Sequence, residues 1–257
     1  MLNFVATAHA AEGISVKLSP YIVGYVGGLP ITATLLTTWL AMGILVLVAW
    51  RVRATLKSVP SKLQSVFEVI IGGAYEYMAE TLENREVAKR YFPVLMTIFL
   101  ALLCMNLLGL FPGVTSVGYY SSETGGLIPF LYPPATDLNI AIGFAIVSMF
   151  VIQMAGILSL GVWKYGGKFI NFSSPLQFLV GIIELISELG RLISFSFRLF
   201  GNIFAGKTLL TVSIFFMPIL LPVPILAFEV FVGFIQAAVF AFLTLVFIKL
   251  AIAEPEH

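Results

Sequence analysis

From residue 176 to residue 217 the chain is strongly apolar and free of proline over about 42 positions, with Pro175 before it and Pro218 after it. A helix of that length spans roughly 60 Å, about twice the hydrocarbon thickness of a bilayer. The pattern therefore predicts one long helix, steeply tilted or broken near Ser194, Gly201 or Gly206. At about 100° per residue, Gln177, Glu184, Glu188, Arg191, Arg198 and Asn202 share one narrow stripe, and Lys207 points away from it. Polar residues on one face of an apolar helix predict a polar path or a partner within the membrane.

The rest of the chain alternates apolar runs with polar connections. Residues 31–50 form a charge-free run that ends at Arg51, Arg53 and Lys57, and predict the first membrane helix. Residues 1–30 read as an external or interfacial segment, with an apolar patch at 22–29 interrupted by glycines and Pro30. The start of this segment ends in a small-residue site, Ala8-His9-Ala10, but has no basic beginning and only a short apolar core, so it reads as a mature tail. Residues 60–90 place Val66, Phe67, Ile70, Ile71, Ala74 and Met78 at helical spacing among charges, the pattern of an amphipathic connector at the membrane surface, with Gly72-Gly73 as a bend point. Residues 91–170 hold the second and third membrane helices, closed by Pro112-Gly113 and opened by a cap at Thr136-Asp137-Leu138-Asn139. Residues 175–252 form two long helices joined at Pro218, Pro222 and Pro224, and 253–257 are a tail.

The fold class expected is an all-α polytopic membrane protein with about five membrane helices, the last two an antiparallel tilted hairpin. Loops 51–90 and 161–170 carry Lys and Arg, whereas 114–136 carries neither. The positive-inside bias puts the basic loops in the cytoplasm, the N-terminus outside and the C-terminus inside.

Composition narrows the function classes. The 257 residues are 60% hydrophobic and 11% charged, with a mean hydropathy of +1.03. A net charge of +1 argues for no nucleic-acid partner, and the single Cys104 excludes a disulfide framework. The GxxxxGK[ST] spacing occurs at Gly201, Gly206, Lys207 and Thr208, but inside the long apolar helical run rather than in a loop between a strand and a helix, so it predicts no phosphate cradle.

Arg198 is the sharpest candidate. Its permanent positive charge lies among Phe195, Phe197 and Phe200, without a carboxylate nearby in sequence. Such a cation attracts a partner carboxylate strongly in a low-dielectric layer and favours its ionised form. Glu184 and Glu188, one turn apart, either pair with Arg191 or line an inner aqueous path. Glu229 and Gln236 share a face of the last helix, with Glu229 nearer the outside. Glu229 is placed to pair with Lys207, to line an outer path, or both.

Arg198-Leu199-Phe200-Gly201-Asn202-Ile203-Phe204-Ala205-Gly206 closely resembles the signature of the ATP synthase membrane subunit a family. Glu229 followed by Gln236 within Phe234-Ile235-Gln236-Ala237-Ala238-Val239-Phe240 resembles that family's last helix. Asn106-Leu107-Leu108-Gly109-Leu110-Phe111-Pro112 and Thr136-Asp137-Leu138-Asn139 resemble its earlier helices, so the likeness covers the chain from about residue 60 onward. The resemblance implies that Arg198 is the stator arginine facing a ring of c subunits, supported by Asn202 and Gln236. It implies an outer ion path at Glu229 and Lys207 and an inner one at Glu184 and Glu188. Many bacterial members carry Glu in place of Lys207 and His in place of Glu229, so the acid and base are exchanged here.

The partners implied are the c ring, b-type peripheral stalk subunits, the remaining ATP synthase subunits and membrane lipid. The transported ion implied is H+, with Na+ the alternative. The subunit is expected to bind no nucleotide, cofactor or metal, to perform no bond-making catalysis by itself, and to reside in a bacterial inner membrane. A stand-alone ion or solute transporter is the competing reading, though the chain lacks the two repeated halves common to such proteins. A purely structural anchor leaves Arg198 unexplained.

Overall fold

The computed structural model describes residues 8–10, 14–16, 20–56, 62–111, 113–121, 126–169 and 175–253. Most of the mature-tail segment, Lys57, Pro60, Pro112 and the tail at 254–257 lie outside the described residues. The architecture is mainly helical, as the apolar periodicity requires. Among the described residues, seven α-helices run as α1 (Ala33–Thr55), α2 (Lys62–Leu82), α3 (Arg85–Leu110), α4 (Leu138–Leu160), α5 (Val162–Gly166), α6 (Pro175–Phe216) and α7 (Pro222–Ile252). Among the described residues, α1, α3, α4 and α7 are long and apolar enough to cross a membrane. Every backbone group in the hydrocarbon layer must be satisfied internally, which these helices achieve.

Strands depart from the all-α expectation. β1 (Ala8–Ala10) pairs with β2 (Ile14–Val16), β3 (Ile22–Val26) with β4 (Leu29–Thr32), and β5 (Gly118–Ser121) with β6 (Gly126–Pro129), each pair antiparallel. The patch at 22–29, expected to rest at the interface, is thus a hairpin. Its turn needs two successive residues of positive φ, and Gly27 (58°) and Gly28 (84°) supply them.

Helix limits also differ from those expected. α1 continues past residue 50 to Thr55. The amphipathic connector stops at Leu82, and the second membrane helix starts at Arg85 rather than 91. Glu83 takes a φ of 55°, breaking α2, and the Asn84 side-chain oxygen then accepts from the backbone N–H groups of Glu86 (3.0 Å) and Val87 (3.2 Å). α2 runs unbroken through Gly72 and Gly73, and α6 through Ser194, Gly201 and Gly206. Pro175 sits in the first turn of α6, where its missing N–H costs no intrahelical bond.

The fold divides into two compact units, with α6 and α7 running through both. The first comprises Met1–Arg51, Phe99–Ala141 and Arg198–Ala238. Buried Thr34 donates to Asp137 at 2.8 Å, and Asp137 in turn accepts from the backbone N–H of Asn139 at 3.0 Å, capping α4. Thr37 accepts from the backbone N–H of Tyr132 at 2.9 Å, so α1 pins the connection that leads into α4. Leu102, Leu199 and Ala237 fill the interior of this unit.

The second unit comprises Val52–Ile98, Ile142–Phe197 and Val239–His257. Phe195 packs on Phe240 (ring centroids 4.8 Å apart) and edge-on to Phe247 (5.8 Å). Fully buried Ile152, Ala155 and Ile248 complete the core. At its edge Lys249 pairs with Glu83 at 2.7 Å, and that hydrogen bond and charge hold the exposed Glu83 carboxyl below its usual range.

Candidate functional site

In the first unit, the polar residues of α6 and α7 meet at successive helical turns. Asn202 Nδ2 donates to Gln236 Oε1 at 2.5 Å. Gln236 is buried, and an amide in an apolar helix demands such a partner. Arg198 lies one turn before Asn202 on the same face and is half-buried. Asn202 itself reaches the exposed side of α6, in a row that includes Ala205 and Leu209. The two residues expected to support the arginine are therefore bonded to each other.

One turn further along α6, Gly206 lies against Glu229. A Cβ at position 206 would stand 2.1 Å from both carboxylate oxygens, so only the bare glycine leaves room for this buried acid. The partners of α6 recede along α7 as α6 advances, from Gln236 at Asn202 to Glu229 at Gly206. The second unit repeats the order, from Phe247 at Arg191 to Phe240 at Phe195.

The expected Glu229–Lys207 pair does not form: among the described residues, no ion pair or hydrogen bond engages the Lys207 ammonium. Lys207 instead leaves α6 toward the connection before α4, where Nζ sits 3.1 Å from the centroid of the Tyr132 ring. Both Lys207 and Glu229 line a cavity of about 200 Å³, with Asn106, Thr115, Gly206 and Ala135 also on its walls. That volume holds several water molecules. Asn106, within α3, donates to the Gly233 carbonyl at 2.9 Å and so ties α3 to α7. Burial pushes the Tyr132 hydroxyl up to about 12, with a further contribution from Tyr21, so it stays protonated at neutral pH.

In the second unit, Glu184 and Glu188 are both ion-paired. Arg191 NH1 donates to Glu188 Oε1 at 2.5 Å, and its NH2 lies 3.7 Å from Glu184. Lys168 reaches Glu184 at 2.8 Å. Gln153 Nε2 donates to Glu188 Oε2 at 3.1 Å, while Gln153 Oε1 accepts from the Tyr165 hydroxyl at 2.6 Å. Arg191 also stands over the Phe247 ring, 4.6 Å from its centroid. The Tyr165 ring occupies the space left by Gly156, where a Cβ would fall 2.2 Å from it. Burial, chiefly, and the neighbouring Glu188 push the Tyr165 hydroxyl up to about 12, with Arg191 opposing. Of the two alternatives for these acids, the geometry forms the ion pairs.

Sequence reasoning missed Gln153, Tyr165 and Tyr132. An amide deep in the apolar run 138–160 was a legible signal for Gln153. Tyr132 and Tyr165 gave none, because each acquires its neighbours only through the folding of a connection.

Residues 35–249 match the family model described as ATP synthase A chain. The chain is 34% identical over 233 residues to the ATP synthase subunit a, sodium ion specific, of Propionigenium modestum, covering 90% of this chain and 77% of that one. It is 33% identical over 220 residues to ATP synthase subunit a of Geotalea daltonii, covering 84% and 86%. A third relative, ATP synthase subunit a of Moorella thermoacetica, is 31% identical over 229 residues, covering 89% and 94%.

Proposed function

The chain belongs to the ATP synthase A chain family, an integral membrane component of an ATP synthase complex, and from that premise we propose how its own residues move ions. The observation that carries the proposal is the Asn202–Gln236 bond one turn from Arg198. It ties α7 to α6 at the level of the cation through two neutral amides, which carry no charge to cancel that of Arg198. In this reading the exposed face of α6 around Asn202, Ala205 and Leu209 meets a ring of c subunits. Each passing rotor carboxylic acid, on meeting the Arg198 charge, releases its ion and is held ionised until the ring carries it onward. The same charge blocks direct passage between two offset half-channels.

The cavity at Lys207 and Glu229 forms the outer half-channel, and Glu229 is the group that exchanges ions with it. The inner route passes Glu184 and Glu188, whose pairing with Lys168 and Arg191 sets its charge balance. α6 supplies a fifth span despite its charges, because its 42 residues exceed the length needed and Glu184, Glu188 and Arg191 are ion-paired. The receding partner order supports an antiparallel, tilted hairpin of α6 and α7, and the basic residues of 51–90 and 161–170 support an N-terminus outside and a C-terminus in the cytoplasm. A b-type stalk holds the subunit against rotation. The ion is H+; the sodium-specific name of the Propionigenium modestum relative keeps Na+ as the second reading, separable by whether synthesis requires added Na+. The stand-alone transporter is not favoured by the family match.

The test is reconstitution of the whole complex in sealed vesicles, with assembly checked by c-ring recovery. Arg198→Ala abolishes gradient-driven ATP synthesis and admits passive leakage. Arg198→Lys restores neither function fully, since an ammonium lacks the planar fork. Normal coupled synthesis by an assembled Arg198→Ala complex would falsify the essential-arginine mechanism.

A further inference from the structure

The Lys207 ammonium is buried and, among the described residues, has no hydrogen-bond acceptor. A polar group in that position is costly unless something compensates it. What faces it is the Tyr132 ring, at a distance where the negative face of an aromatic quadrupole attracts a cation. The ring is itself held. Its backbone N–H is bonded to Thr37 of α1, and Tyr21 packs edge-on against it with centroids 5.1 Å apart. Glu229, meanwhile, is seated on the bare backbone of Gly206 rather than on the lysine.

We propose that Tyr132 is a positioning residue of the outer ion path: its ring face holds the Lys207 ammonium against the connection before α4 and away from Glu229. The consequence is chemical. A carboxylate in direct contact with an ammonium is locked in its charged form. With Lys207 held on the ring, Glu229 stays free to take up and release an ion. The lysine then contributes a positive potential to the cavity without blocking its acid. This inference rests on the reading of the cavity as the outer half-channel.

The experiment uses the complete complex in sealed vesicles and measures gradient-driven ATP synthesis and ion flux. Tyr132→Leu lowers coupled flux about tenfold, the scale of a desolvated cation–π contact. Tyr132→Trp, with the stronger ring, restores it. In a Lys207→Met background, Tyr132→Leu brings no further loss. If Tyr132→Leu complexes fail to assemble, phenylalanines carrying successive fluorines at position 132 keep the ring's shape while draining its quadrupole. Flux then falls with each fluorine when Lys207 is present and stays level when it is Met. A level series with Lys207 present overturns the proposal, as does an equal decline in both backgrounds, which would make the ring structural only. Glu229→Gln, run in parallel, separates the two levels of the argument. If it leaves flux unchanged, the outer half-channel reading fails and this inference with it. If it slows flux while the fluorine series is level, the positioning role alone fails.

Discussion

Arg191 and Glu188 are not equivalent halves of their ion pair, and removing each has a different consequence. Glu188 is the more buried, with its side chain 6% exposed against 20% for Arg191. Without Arg191, Glu188 retains the Gln153 amide at 3.1 Å as its hydrogen-bond partner among the described residues. An acid left buried without its cation destabilises by about 3–5 kcal/mol, and the partial exposure of Arg191 places Arg191→Met at the lower end, about 3 kcal/mol. Without Glu188, the arginine still has Glu184 at 3.7 Å and the Phe247 ring at 4.6 Å. Glu188→Gln, which keeps the shape and one acceptor, costs about 1–2 kcal/mol, near the value of a lost charged hydrogen bond. Replacing both, Arg191→Met with Glu188→Met, removes the orphaned charge and returns stability to within about 1 kcal/mol of the starting chain. The assay is reversible unfolding of the purified subunit in mixed micelles across a denaturant series. A gap of about 1.4 kcal/mol between the single variants is a tenfold difference in the folding equilibrium, well within resolution. Equal losses for the two single variants, or a double variant as unstable as Arg191→Met, would refute the asymmetry argued from these contacts.

Other outcomes follow from individual contacts. Glu229→Gln slows coupled flux while leaving c-ring recovery largely intact; loss of assembly would instead mark a structural acid. Gly206→Ala drives a methyl into the Glu229 carboxylate and costs about 1–3 kcal/mol, and pairing it with Glu229→Ala recovers most of that in the same unfolding assay. Asn84→Ala removes the cap of α3 and costs about 1 kcal/mol, read as earlier fraying of amide hydrogen exchange at Glu86 and Val87. The Glu83–Lys249 pair stabilises above the ordinary carboxylate range, and its contribution disappears as pH falls through the lowered Glu83 value. Glu83→Gln therefore flattens the acid limb of the stability profile slightly. In a background with Cys104 replaced, cysteines at exposed Tyr120 and Trp163 label from opposite sides of the membrane, and labelling from one side would refute the topology.

Helix formation was legible in the sequence because it depends on local periodicity. Apolar runs of bilayer length bounded by Pro, Gly and charge specify α1, α3, α4 and α7, and an unbroken 42-residue pattern specifies α6. The asparagine cap at Asn84 and the Gly27-Gly28 turn were equally local, but the first was concealed by taking 60–90 as one connector and the second by the apolar patch at 22–29. The residues of the candidate site were legible for a related reason: Arg198, Asn202, Glu229 and Gln236 are expensive in an apolar helix, and expense points to use. Which of them touch is a different kind of fact. Helical spacing places Asn202 and Gln236 on faces, but only the packing of α6 on α7 makes the bond between them. Lys207 and Glu229 suggested a pair by charge alone. Tertiary structure separates them, because a glycine opens a seat for the acid and a loop tyrosine, held by Thr37, offers the lysine a ring. Pattern along a chain reports what each segment must bury; the identity of the group that buries it depends on segments distant in sequence.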